Sequence, residues 1–138
     1  MKKSRRLAAL VALLVLGSCN QSTTPTSPRF CVPLTGMYSG VFTDSCGLSK
    51  TVDVTLFQTG CALVAEFPGV GSVQGNVDGQ TLVFTIGFAG FSSCGGSASG
   101  SATVTGSGGL VGTYSGQATG SGTTCCGNVA GSFALTRK

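Results

Sequence analysis

The sequence predicts an all-β domain of eight antiparallel strands, closed as an up-and-down barrel or, alternatively, folded over as a β-sandwich, and braced by three disulfides. Three observations carry this. Apolar and polar residues alternate at period two in run after run between Phe30 and Lys138, with no credible helix among them. Turn signals divide the runs at Thr59-Gly60, Pro68-Gly69, Asp78-Gly79 and Ser107-Gly108-Gly109. Cys31, Cys46, Cys61, Cys94, Cys125 and Cys126 lie in the same stretch, an even number that suits a disulfide framework in a small exported domain.

The strands are expected at 36–43, 51–58, 62–67, 72–78, 80–88, 97–106, 109–119 and 128–136. The first carries Gly36-Met-Tyr-Ser-Gly40, a cadence that returns on the seventh as Gly112-Thr-Tyr-Ser-Gly116. The second alternates from Thr51 to Gln58, with Val52, Val54 and Leu56 on one face and Thr51, Asp53 and Thr55 on the other. The third is bounded by Thr59-Gly60 and Pro68-Gly69. The fourth and fifth meet at Asp78-Gly79, the strongest hairpin signal in the chain, and the fifth places Leu82, Phe84, Ile86 and Phe88 together. The sixth faces them with the smaller Ala98, Gly100, Ala102 and Val104. The eighth aligns Val129, Gly131, Phe133 and Leu135. Short links pair sequential strands antiparallel. An eight-stranded meander must hide one apolar face, and closing it also removes the unpaired edges, which favours the barrel.

That topology arranges the cysteines. The links at 44–50, 89–96 and 120–127 fall at one end, so Cys46, Cys94, Cys125 and Cys126 share a rim. Cys61, in an opposite-end link, falls near the entry of the first strand and hence near Cys31. The expected bonds are Cys31–Cys61, with Cys46 and Cys94 each joined to one of Cys125 and Cys126. A vicinal Cys125–Cys126 bond would need a strained peptide.

Ahead of the domain the chain changes character. Lys2, Lys3, Arg5 and Arg6 precede the unbroken apolar run Leu7–Leu16, too short to span a bilayer and of the length of a secretory h-region. The run ends in Leu16-Gly17-Ser18-Cys19, which resembles the lipobox of bacterial lipoproteins. The resemblance implies cleavage before Cys19 and lipid attachment to its thiol, with acylation of the new amino terminus; two or more acyl chains give stable anchoring. Residues 1–18 then form a signal peptide, 19–29 a lipid-anchored Ser/Thr/Pro tether, and 30–138 the barrel domain. Asn20, where Asp would favour inner-membrane retention in such lipoproteins, points to the outer membrane or cell surface of a bacterial envelope.

The G-x-Y-x-G cadence and the short Gly-rich strands resemble the small meander barrels of the lipocalin and avidin type. That likeness implies architecture. The chain has no Trp, on which avidin-type sites and the lipocalin Gly-x-Trp signature depend, so no binding residue carries over. Small side chains on the sixth strand opposite large ones on the fifth either open a cavity or leave room that phenyl rings fill. Phe88, Phe91 and Tyr114 are the groups that would edge a ligand mouth, with Phe91 in a link as a lid.

Charge and chemistry narrow the function. The formal charge of +4 resides in residues 2–6; beyond Cys19, Arg29, Lys50, Arg137 and Lys138 balance Asp44, Asp53, Glu66 and Asp78. A neutral domain offers no footprint for nucleic acid. There is no His, no Cys-x-x-Cys and no phosphate loop, and the carboxylates are scattered, so no catalytic residue, metal site or cofactor is expected. The expectation is an envelope lipoprotein, membrane-bound through Cys19, whose barrel is a non-catalytic module for a protein or glycan. The alternatives are a lipocalin-like carrier of a small hydrophobic ligand, and an enzyme inhibitor similar to the small disulfide-bonded barrel lipoproteins that block lysozymes, whose Ser…Lys loop has no counterpart around Lys50.

Overall fold

The strands form, and they close. The computed structural model describes residues 30–47, 49–69, 71–91, 94–120 and 127–138, with the backbone alone at 88–91 and 94. The strands are β1 (Gly36–Asp44), β2 (Ser49–Thr59), β3 (Ala62–Phe67), β4 (Gly71–Asp78), β5 (Thr81–Phe91), β6 (Cys94–Val104), β7 (Leu110–Gly120) and β8 (Gly127–Arg137). Each pairs antiparallel with the next, and β8 returns to β1 from Tyr38↔Arg137 through Asp44↔Gly131. Closure leaves no strand edge for another chain to extend.

The largest departure from the sequence reading is at β5 and β6. Residues 89–96 were expected as a link containing Phe91 and Cys94; instead β5 runs through Phe91 and β6 opens at Cys94. Ladder pairing continues through Phe88↔Gly96 and Ala89↔Gly95, then shifts register so that Phe91 meets Cys94. A bulge of this kind lets backbone pairing persist where the glycine-rich sequence shows no alternation. At its other terminus β6 stops at Val104 because Thr105 turns, accepting from Gly108 N–H (2.9 Å) and donating its own N–H to Gly109 O (2.8 Å).

The meander gives the barrel two distinct ends. At one, the links 60–61, 79–80 and 105–109 lie beside the segment Phe30–Thr35 through which the chain enters; we call it the entry end. At the other, the far end, lie residues 45–47 and 68–69 and the strand termini Phe91, Cys94, Gly120 and Gly127. The Asp78-Gly79 signal makes a two-residue hairpin, Asp78↔Thr81, with Gly79 at φ 59°, a left-handed conformation a side chain would strain.

Inward positions alternate as the period-two pattern requires. Val52, Val54 and Leu56 on β2, Leu82, Phe84 and Ile86 on β5, and Phe133 and Leu135 on β8 are all buried. Full burial of a side chain of this size contributes about 1.5–3 kcal/mol, so this single core dominates the favourable side of folding.

Candidate functional site

Three places on a small barrel can meet a partner: the lumen, the outer wall and the two ends. Among the described residues the lumen is filled. Phe42 stacks on Phe133 (centroids 4.9 Å apart) and meets Phe67 edge-on at 5.2 Å, while Phe84 meets Phe133 at 5.5 Å. Glycines receive these rings. A Cβ at Gly100 would lie 2.6 Å from the Phe84 ring, one at Gly112 2.7 Å from Phe133, and one at Gly131 2.4 Å from Tyr114. The small residues opposite large ones therefore complete the packing. The void left among Phe42, Leu56, Phe84, Phe133 and their neighbours is about 20 Å³. Small-molecule pockets are roughly 300–1,000 Å³.

Tyr114 lies inside this packing. Its hydroxyl donates to Thr43 O at 3.4 Å, and its ring lies 6.2 Å from Phe42. Burial pushes it up to about 12, and the Asp44 carboxylate adds in the same direction. Tyr38, its counterpart in the repeated cadence, is fully buried with no hydrogen-bond partner for its hydroxyl. Burial raises it too, and the Arg137 guanidinium opposes that rise. Phe88 and Phe91, proposed with Tyr114 to edge a mouth, have backbone positions on the far half of β5; their side chains lie outside the described residues.

The wall of β6, β7 and β8 is largely polar and carries no charge before Arg137. Outward positions carry Ser97, Ser99, Ser101 and Thr103 on β6 beside Thr113, Ser115, Gln117 and Thr119 on β7, all exposed. On β8, Ser132 bonds Thr43 side chain to side chain (3.0 Å), and Asn128 accepts from the Gln117 amide. A lipid-spanning barrel carries apolar residues outward and polar ones inward, the reverse of this wall.

The carboxylates serve structure or solvent. Asp44 accepts from Cys46 N–H at 2.8 Å and so closes the β1–β2 turn. Asp53 pairs with Lys138 at 2.8 Å; bonds from Lys138 and then Ser39 hold it below the usual carboxylate range, on a fully exposed site. Glu66, flanked by apolar residues in sequence, points outward between buried Ala65 and Phe67. Among the described residues, no three His, Cys, Asp or Glu side chains gather where they could hold a metal ion.

The entry end is sealed by the chain itself. Leu34 is 1% exposed and plugs the core, its N–H donating to Gln58 Oε1 (2.7 Å). Thr35 Oγ1 accepts from Gln58 N–H (3.0 Å), and Thr35 O accepts from Arg137 Nη2 (2.8 Å). Ahead of them Phe30 O accepts from Gly79 N–H (2.7 Å), and Cys31 is disulfide-bonded to Cys61, with Cα atoms 5.5 Å apart. Cys46 is also disulfide-bonded. The expected bonds from Cys46 and Cys94 to Cys125 and Cys126, and the lipid site Cys19, fall outside the described residues.

Comparison with protein-family models, with characterised proteins and with solved structures finds no match to this chain. Sequence reasoning missed one surface feature. Met37, Phe57, Val64, Val83 and Val111 are more than half exposed, on positions that the alternation assigns to the polar face. The signal was present in the sequence as apolar residues out of phase with their own strands.

Proposed function

We propose that the chain is a lipid-anchored protein of the bacterial cell envelope, on the outer membrane or cell surface, whose barrel is a non-catalytic interaction module. The observation that carries the module reading is the pairing of a filled lumen with a broad hydroxyl wall. With about 20 Å³ free among the core side chains, the interior weighs against the carrier alternative. The wall of β6–β8 instead offers many exposed donors and acceptors on a rigid, closed sheet. Such a surface suits a hydrogen-bonding protein or glycan partner, and its low charge disfavours nucleic acid. The anchoring reading rests on the basic n-region, the apolar run and Leu16-Gly17-Ser18-Cys19.

The anchor and the module are tested separately. The intact mass of the mature chain, extracted in detergent from an exporting host, is expected to begin at an acylated Cys19, and Cys19→Ser is expected to abolish the acyl mass and release the chain from membranes. Retention of the signal or an unmodified Cys19 overturns the anchor. For the module, photocross-linkers at Ser99 and Ser115 in cells are expected to give one saturable adduct. A native mass spectrum showing a small molecule lost on activation would restore the carrier.

A further inference from the structure

Among the described residues, five of the six large apolar side chains exposed on the strands gather at one end, with Val41 on the far half of β1 the exception. Met37 is the second residue of β1, Phe57 the third from the end of β2, Val64 the third of β3, Val83 the third of β5 and Val111 the second of β7. In a meander, each of these positions is at the entry end. Phe57 and Val64 face each other directly across the β2–β3 ladder. Phe30, 72% exposed, extends the same apolar surface past the rim. Outward residues equally close to the far end are Thr43, Ser49, Glu66, Thr119 and Asn128, all polar and exposed. Among the described residues, the entry end of the wall carries an apolar girdle on β1, β2, β3, β5 and β7, and the far half carries Val41 alone of the large exposed apolar side chains.

We infer that the entry end is a lipid-docking surface: the girdle of Met37, Phe57, Val64, Val83 and Val111, with Phe30, seats the barrel in the outer layer of the membrane that holds Cys19. The inference rests on the anchored reading and adds an orientation to it. The position of chain entry selects the occupant. Phe30 emerges at this end, and ten residues, Asn20–Arg29, separate it from Cys19. Even fully extended at ~3.5 Å per residue they reach only ~35 Å, so the girdle is held within reach of the bilayer. Tethering raises the effective concentration of lipid at the girdle, so contacts too weak to recruit a free protein suffice to orient a tethered one. Exposed apolar clusters on soluble surfaces mark contact sites, and apolar residues spread over five strands at one end, with polar Asn76, Thr103 and Thr136 between them, suit a planar boundary better than a localised partner. Of the charges near the ring, Lys138 pairs with Asp53 and Arg137 bonds Thr35 O, while Asp78 stands exposed on the β4–β5 hairpin. Docking this way leaves the far end and the hydroxyl wall exposed to the medium.

The chain contains no Trp, so a single introduced indole reports its own surroundings. Full-length Phe57→Trp and Thr119→Trp proteins, processed in an exporting host and verified by mass to carry acyl chains on Cys19, are incorporated into phosphatidylcholine vesicles with or without brominated acyl chains. The expected result is a blue-shifted Phe57→Trp emission that loses most of its intensity in brominated vesicles, with Thr119→Trp emission unchanged. Acylated, vesicle-bound protein in which neither indole is quenched overturns the docking and leaves the anchor intact. Equal quenching of both overturns the orientation. A blue shift at Phe57→Trp without bromine quenching, in protein that sediments as a dimer after detergent removal, assigns the girdle to a second copy and overturns the lipid assignment. Absence of acyl mass refutes the anchor, and with it the docking.

Discussion

The two ends of this barrel solve the same problem differently. At the entry end, a six-residue segment, Phe30–Thr35, lies across the opening, places Leu34 in the core and is held by Gln58, Arg137 and the Cys31–Cys61 bond. At the far end the described closure comes from the strands and turns themselves: Asp44 caps its own turn, Ser45 N–H donates to Ala130 O (2.7 Å), and Tyr114 and Phe42 fill the lumen beneath. The entry end is thus closed by a segment added outside the strands, and the described part of the far end by the barrel's own residues. Closure by an added segment depends on each of its members, because removing one exposes core that no neighbouring residue can cover.

The largest expected effect follows from that dependence. Leu34→Ala should cost about 3–4 kcal/mol, since the plug is fully buried and the rim around it is pinned. Urea unfolding of the variant measures it; a loss below about 1 kcal/mol would show that the segment lies on the barrel without sealing it. Replacing Cys31 and Cys61 together by Ser opens a loop with a sequence separation of 30 residues. The expected loss is about 3 kcal/mol, with amide exchange accelerating first at Val77 and Gly79, whose N–H groups bond to Cys61 and Phe30.

A third contrast lies between the two buried tyrosines. The Tyr114 hydroxyl is pushed up to about 12 in the folded chain, whereas tyrosine in an unfolded chain titrates near 10. A raised value in the folded state means the unfolded state loses its proton first as pH climbs. The stabilisation is therefore complete below about pH 10 and lost progressively toward about pH 12, on the order of 2–3 kcal/mol in all. Tyr38 shifts in the same direction, with Arg137 opposing. Denaturation midpoints across that range should fall steeply in the native chain and less steeply in Tyr114→Phe; an unchanged slope would show that the ring opens to water before it ionises. The smallest effect tests the girdle. Phe57→Ser together with Val64→Thr should change stability by less than about 0.5 kcal/mol each, because both side chains are mostly exposed. A larger loss by urea titration would mean that the pair holds the β2–β3 hairpin together and is not available for lipid.

Much of the fold is legible in the residues. Thr51–Gln58, Thr81–Phe88 and Val129–Thr136 alternate cleanly because an antiparallel strand with one wet face must, and Asp78-Gly79 marks its hairpin because glycine alone enters left-handed backbone freely. The meander then brought Cys31 and Cys61 to one end by counting links. The extension of β5 to Phe91 was not legible, since Gly90, Gly95 and Gly96 carry no alternation and the pairing there is entirely backbone. Nor was the role of Leu34, which belongs to no strand.

What the sequence determined by itself is thus what depends on local periodicity and composition: strand identity, strand order, inward and outward faces, the apolar run before Cys19 and the neutrality of residues 20–138. Only the tertiary structure decided that the lumen is full among the described residues, because whether Gly100, Gly112 and Gly131 open space or admit rings depends on which strands they face across the barrel. It also decided that Phe57, Val64, Val83, Met37 and Val111 share one end. Residues on strands of opposite direction reach the same height from opposite termini, and no one-dimensional pattern records that until the strands are paired.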